Sequence, residues 1–130
     1  MTTKTKKINF QTIKSFEDAC KKENIAPSLP DVSMLPEEFR KPVIAGYKLM
    51  VIYKAINNGW IPDWSNDDQY KYYPWFGVLS SGFGFSISRY TYVSTITDVG
   101  SRLCTDTREK ALYMASQFEQ EYKDYFLYSE

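Results

Sequence analysis

The sequence predicts an α+β fold: two N-terminal helices, a small antiparallel sheet of two to three strands, and a C-terminal amphipathic helix packed on that sheet. Three observations point there. Ala111, Ala115, Phe118, Tyr122, Tyr125 and Phe126 fall on one stripe of a 3.6-residue helix, with Glu109, Ser116, Gln120 and Lys123 on the other side. Phe83, Phe85 and Ile87 alternate with Gly84, Ser86 and Ser88, the period of a half-buried strand. The strand-like segments follow one another with no helix between them, which favours α+β over a βαβ array.

Residues 1–14 are expected to form a flexible basic tail and residues 15–130 a single domain. Ser15 is placed to cap a first helix: its hydroxyl can accept from the amide near Asp18, and Phe16, Ala19 and Cys20 make a narrow apolar face. That helix should stop near Asn24, because Pro27 and Pro30 follow. Residues 25–35 read as an extended connector pinned to the core by Leu29, Val32, Met34 and Leu35.

A second helix is expected over residues 36–58. Pro36 suits its first position, Glu37 and Glu38 its positive end, and Gly59 its exit. Pro42 cannot donate to the ladder, so a kink or restart is expected at Lys41 or Pro42. From residue 43 to 56 the only charges are Lys48 and Lys54, so the helix should be central and packed on more than one side.

Residues 61–69 carry Pro62 and the loop formers Asp63, Ser65, Asn66, Asp67 and Asp68. A strand is expected over residues 70–79, broken or held to an edge by Pro74, then a turn at Ser80, Ser81 and Gly82. The alternating strand follows. A last strand is expected over residues 101–105, with Leu103 inward, and Thr107 or Asp106 should cap the final helix.

Composition narrows the chemistry. The chain has 130 residues, 43% apolar and 25% charged, with a formal net charge of zero. That balance argues against a dedicated duplex-DNA binder. There is no histidine, which removes the serine–histidine triad, the cysteine–histidine dyad and every histidine-bearing metal site. Cys20 and Cys104 stand in no metal-type spacing and are expected to be buried, reduced thiols. No apolar run resembles a signal peptide or reaches the ~20 residues of a membrane span, so a cytoplasmic protein with no membrane association and no cofactor is expected.

The phrases FEDACKKENI, LPDVSMLPEEF, YKLMVIYKAINNGW, PDW, QYKYYPWF, GFGFS, DVGSRLC and FEQEYKDYF occur in that order. With them the chain resembles, over about residues 16–126, a family of small proteins from gut Bacteroidales, their phages and other mobile elements. YKYYPWF and GSRLC are the specific parts. The resemblance implies a phage or mobile-element setting and carries over no activity and no catalytic residue.

Candidate functional residues lie in two places. Residues 60–92 hold eleven aromatic side chains, about half of those in the chain. So many rings are hard to bury in so small a domain, and Trp64, Tyr70, Tyr72, Tyr90 and Tyr92 are expected to line a surface. Such a surface suits a protein partner, since Trp and Tyr are favoured at interface centres. Beside Lys71 and Arg89, the same rings would suit stacked bases of a single-stranded nucleic acid. The acids Asp63, Asp67 and Asp68 favour a protein or sugar ligand over a nucleic acid and lack the spacing of a calcium loop. The second place is the turn into the last helix, where Arg102, Thr107 and Arg108 would suit an anion at a helix N-terminus; a plain Thr107 cap with Arg102 paired to Asp98 or Asp106 is the simpler account. A non-enzymatic binding module is therefore favoured, with a small enzyme using tyrosines, arginines or carboxylates as a third reading.

Overall fold

The structure, a computed structural model, describes residues 9–63, 65, 66, 68–78, 85–93 and 103–126, with the backbone alone for 75–78 and 85–93. Its helices are α1 (Phe16–Glu23), α2 (Glu37–Asn57), α3 (Arg108–Gln117) and α4 (Glu119–Phe126), and its strands β1 (Lys71–Val78) and β2 (Phe85–Val93). Helix and strand content is thus mixed, as an α+β class requires.

Residues 1–8 of the expected tail lie outside the described residues. Residues 9–14 are folded: Phe10–Thr12 form a 3-10 turn capped by Asn9, and Ile13 is only 4% exposed. The Tyr113 hydroxyl donates to Ile13 O (2.7 Å) and the Gln117 amide to Lys14 O (3.0 Å), fastening the segment to α3.

α1 begins where the cap predicts it. Ser15 Oγ accepts from Asp18 N at 3.1 Å, and Phe16, Ala19 and Cys20 are buried. Asp18 reaches back to Lys14 N (3.0 Å), so the reciprocal bond skips the capping residue. Asn24 ends the helix in the left-handed region at φ 56°. The connector differs from its expectation. Leu29 and Met34 are exposed, and Arg40 ties the segment down instead, donating to Ser33 O (3.0 Å) and Leu35 O (2.9 Å).

α2 runs unbroken from Glu37 to Asn57 with Pro42 inside it, so the helix does not restart there. Pro42 sits in the second turn and withholds only its own bond to the Glu38 carbonyl, while the turns on either side remain closed. From Ala45 onward α2 is the centre of the core: Leu49, Ile52, Tyr53, Ala55 and Ile56 are all at or below 1% exposed. They meet Phe16, Ala19 and Cys20 of α1 and Met114, Phe118 and Tyr122 of α3 and α4. Burying each such large side chain contributes about 1.5–3 kcal/mol. The N-terminal half is not central: Phe39 and Val43 are exposed.

β1 and β2 pair antiparallel, Lys71 opposite Val93 and Val78 opposite Phe85, with an irregularity between Trp75 and Gly77. β1 passes through Pro74, which pairs with Tyr90, so the irregularity lies beyond the proline. The expected turn at residues 80–82 lies outside the described residues. Of the expected last strand, residues 101 and 102 lie outside the described residues; the described part makes one bridge, Tyr72 N to Thr105 O (3.0 Å) and Thr105 N to Tyr72 O (2.7 Å). Leu103 packs half-buried against the core, as expected, and Cys104 and Thr105 are fully buried beside it; Cys104 O accepts from the Asn57 amide and Thr105 Oγ1 donates to Thr107 O (2.7 Å).

The C-terminal helix is two. Phe118 ends α3 with φ −114°, and α4 starts at the next residue. Ala111, Ala115, Phe118 and Tyr122 are buried as the stripe requires, whereas Tyr125 and Phe126 are exposed. α4 lies on α2: the Tyr53 and Tyr122 hydroxyls hydrogen-bond in the core, and the Tyr125 ring rests on Gly46. No disulfide joins Cys20 and Cys104, both buried.

Candidate functional site

The aromatic segment divides on folding. Of the five rings expected on a surface, Trp64 lies outside the described residues, and Tyr90 and Tyr92 are described only as backbone of β2. Tyr70 is 50% exposed and Tyr72 half-buried. Tyr70 stands just before β1 and Tyr72 is its second residue, and their ring centroids lie 6.4 Å apart. Ile61, in the loop before them, is 79% exposed.

Lys71, expected among these rings as a surface charge, is instead 1% exposed. The loop before it folds back through short side-chain turns: Asp63 Oδ1 accepts from Ser65 N (3.0 Å), Asn66 Oδ1 from Asp68 N (2.9 Å), and Gln69 Oε1 from Asp63 N (2.6 Å). The Asn66 and Gln69 carbonyls then accept from Lys71 Nζ at 3.2 and 3.1 Å. The ammonium so takes the middle of the acidic loop. The Ser65 hydroxyl and amide, and then the Lys71 charge, hold the Asp63 carboxyl below its ordinary range. Among the described residues no group of three or more metal-ligating side chains is placed to hold an ion.

A cleft of about 640 Å³ opens beside the C-terminal half of α2. Tyr47, Met50, Lys54 and Asn57 recur at helical spacing and form one wall; Trp60, Ile61 and Pro62 form the other, with Glu23 at one end. The turn between them follows from the left-handed Asn58 (φ 47°) and Gly59 (φ 94°), which let Trp60 N reach back to Asn57 O (3.0 Å). Asn57 is 7% exposed. Its amide donates to Cys104 O at 2.8 Å, and its Oδ1, itself closed off from solvent, has no hydrogen-bond partner among the described residues.

No family model, curated protein or solved structure matches the chain. The geometry alone must therefore rank the sites.

At the start of α3, Arg102 lies outside the described residues. Thr107 Oγ1 accepts from Lys110 N (3.3 Å) as the cap, Asp106 pairs with Lys110 at 2.9 Å, and Arg108 is exposed. The cap and the i,i+4 pair account for this turn with groups of the chain itself. Inside the core, burial pushes the Tyr53 and Tyr122 phenols far up and the Cys104 thiol up to about 11, so all three are protonated near neutrality. Among the described residues no helix is long and apolar enough to cross a membrane.

The residues that sequence reasoning missed are those of the cleft. Tyr47, Met50, Lys54 and Asn57 share a stripe, and that spacing was the available signal. It is masked by the apolar residues that fill the rest of the α2 circumference.

Proposed function

We propose that the protein is a non-enzymatic accessory protein that binds another protein through an aromatic and apolar surface on the segment following α2. The observation that carries this reading is the half-exposed Tyr70 beside Tyr72, with Ile61 standing 79% in solvent in the loop before them. Exposed large apolar side chains of this kind suit the centre of a protein interface. A phage or mobile-element setting is part of the proposal and rests on the sequence resemblance. Lys71 is turned inward, which takes one cation away from the rings and weighs against stacking on a nucleic acid.

The test is capture on the immobilised chain. A partner retained by the wild-type protein should be lost from the double variant Ile61→Ser/Tyr70→Ala, with unchanged thermal stability. Equal retention by the variant overturns the surface. Oligonucleotide binding that weakens steeply with salt would replace this reading by single-strand recognition.

A further inference from the structure

We propose that Asn58 is a self-modifying site, gated by the turn that follows α2. Its side-chain amide closes onto the Gly59 nitrogen, loses ammonia, and opens with water to aspartate or isoaspartate. Water is the only co-reactant.

Sequence and exposure together make the site. Of the asparagines, Asn58 alone is followed by glycine. The residues after the others, Phe10, Ile25, Asn58 and Asp67, carry side chains beside the attacking nitrogen, and glycine carries none. Gly59 is exposed and Asn58 half-buried. A Cβ built on Gly59 would meet nothing within 4 Å among the described residues. Water and hydroxide therefore reach the peptide group between the two.

The reaction needs no further group of the chain. Solvent base takes the proton of the Gly59 amide, and that nitrogen bonds to Asn58 Cγ. The Cγ–Nδ2 bond breaks and ammonia leaves, which gives a cyclic imide. Water then adds at one of the two imide carbonyls. Attack at Cγ restores the ordinary backbone and leaves aspartate. Attack at the backbone carbonyl leaves isoaspartate, whose main chain runs through the side chain and is one carbon longer.

The backbone angle supplies the gate. Ring closure needs the Gly59 nitrogen eclipsed with Asn58 Cβ about the Cα–C bond, which the geometry of an L-residue puts at ψ of about −120°. Asn58 sits at φ 47° and ψ 51°, so that nitrogen lies nearly opposite Cβ. Gly59 at φ 94° and the bond from Trp60 N to Asn57 O (3.0 Å) hold the peptide group there. The reactive angle is reached only when the end of α2 opens, so conversion in the folded chain is slowed by the fraction of time the turn stays closed. Isoaspartate lengthens the backbone between Asn57 O and Trp60 N, and the turn cannot close on it as before. Aspartate puts a negative charge at the carbonyl end of α2, the unfavourable end. Either product loosens the turn that aims Trp60, Ile61 and Pro62.

The test follows residues 55–62 by mass and fragmentation, which read the exchange of amide for carboxyl at a named position. The folded chain, the chain in concentrated guanidinium chloride, and the end-blocked peptide AINNGWIP are incubated side by side in one mildly alkaline buffer. Peptide and unfolded chain should both convert at Asn58, with isoaspartate among the products and a rate that rises with pH. The folded chain should convert about tenfold more slowly or more. Asn58→Gln, whose longer side chain closes the ring poorly, should abolish conversion in the denaturant, where folding plays no part. Chain converted unfolded and then refolded should unfold at less denaturant than chain refolded without incubation. Conversion of the folded chain as fast as the peptide overturns the gate. No conversion at Asn58 in peptide and unfolded chain, or conversion of this segment that persists in Asn58→Gln, overturns the site. A refolded isoaspartyl chain with the unmodified midpoint overturns the link between the site and the turn.

Discussion

Tyr53 and Tyr122 meet hydroxyl to hydroxyl where α4 crosses α2, both at 2% exposure or less. Either phenol alone would leave a buried hydroxyl without the partner it has here. Tyr122→Phe should cost about 1–3 kcal/mol in urea unfolding, and Tyr53→Phe/Tyr122→Phe less than the sum of the single changes. The same burial sets an alkaline limit. Burial raises both phenols, and lifts the Cys104 thiol from 9.0 to about 11, so the folded chain retains protons that the unfolded chain releases. Stability from these groups is fully present below the unfolded values, 9.0 for the thiol and 10.0 for the phenols, and is lost progressively as pH rises from there towards the raised folded values, about 11 for the thiol and higher for the phenols. The double phenylalanine variant should flatten the part of that fall above pH ~10. At this scale the sequence was half legible. Tyr122 fell on a buried stripe by spacing alone, but its partner is 69 residues away. Lys71 was misplaced on the surface, because its burial comes from a loop folding back through Asp63, Asn66 and Gln69, which helical or strand periodicity does not encode.

Among the elements, ends were legible and interruptions were not. Ser15, Asn24 and Thr107 mark helix ends through bonds or backbone angles that belong to a few adjacent residues. Pro42 and Phe118 depend on packing instead. The proline was expected to break α2, yet the burial that starts at Ala45 holds the helix together across it. Phe118 carries no helix-breaking chemistry, yet the chain bends there. The helix through residue 42 therefore lacks one bond that Pro42→Ala would restore, from its N–H to the Glu38 carbonyl. This variant should be more stable by about 1–3 kcal/mol in thermal or urea unfolding, with near-identical circular dichroism. A loss of stability would mean that a break at Pro42 is needed to set α2 against α1.

For the molecule as a whole, the arrangement of α4 on α2 determines both the core and what is left open. α2 read as apolar on nearly every side, which is true of its C-terminal half and conceals the stripe that faces the cleft. That stripe became a wall only because the turn at Asn58 and Gly59 folds Trp60, Ile61 and Pro62 across from it. On the other side α4 comes close through Gly46. A Cβ there would stand 3.0 Å from Tyr125 Cε1 and 3.4 Å from Cδ1, at the limit of contact. The ion pair of Lys41 and Asp124, 3.5 Å and partly exposed, adds little. Gly46→Leu cannot place its branch under the ring, so α4 must move and carry Tyr122 away from Tyr53. Thermal unfolding should show a loss of about 1–3 kcal/mol despite the better helix propensity of leucine. With Tyr125→Ala in the same chain, the obstructing ring is gone and the midpoint should return to the wild-type value or above. A Gly46→Leu protein that is more stable on its own would show that α4 does not rest on this glycine.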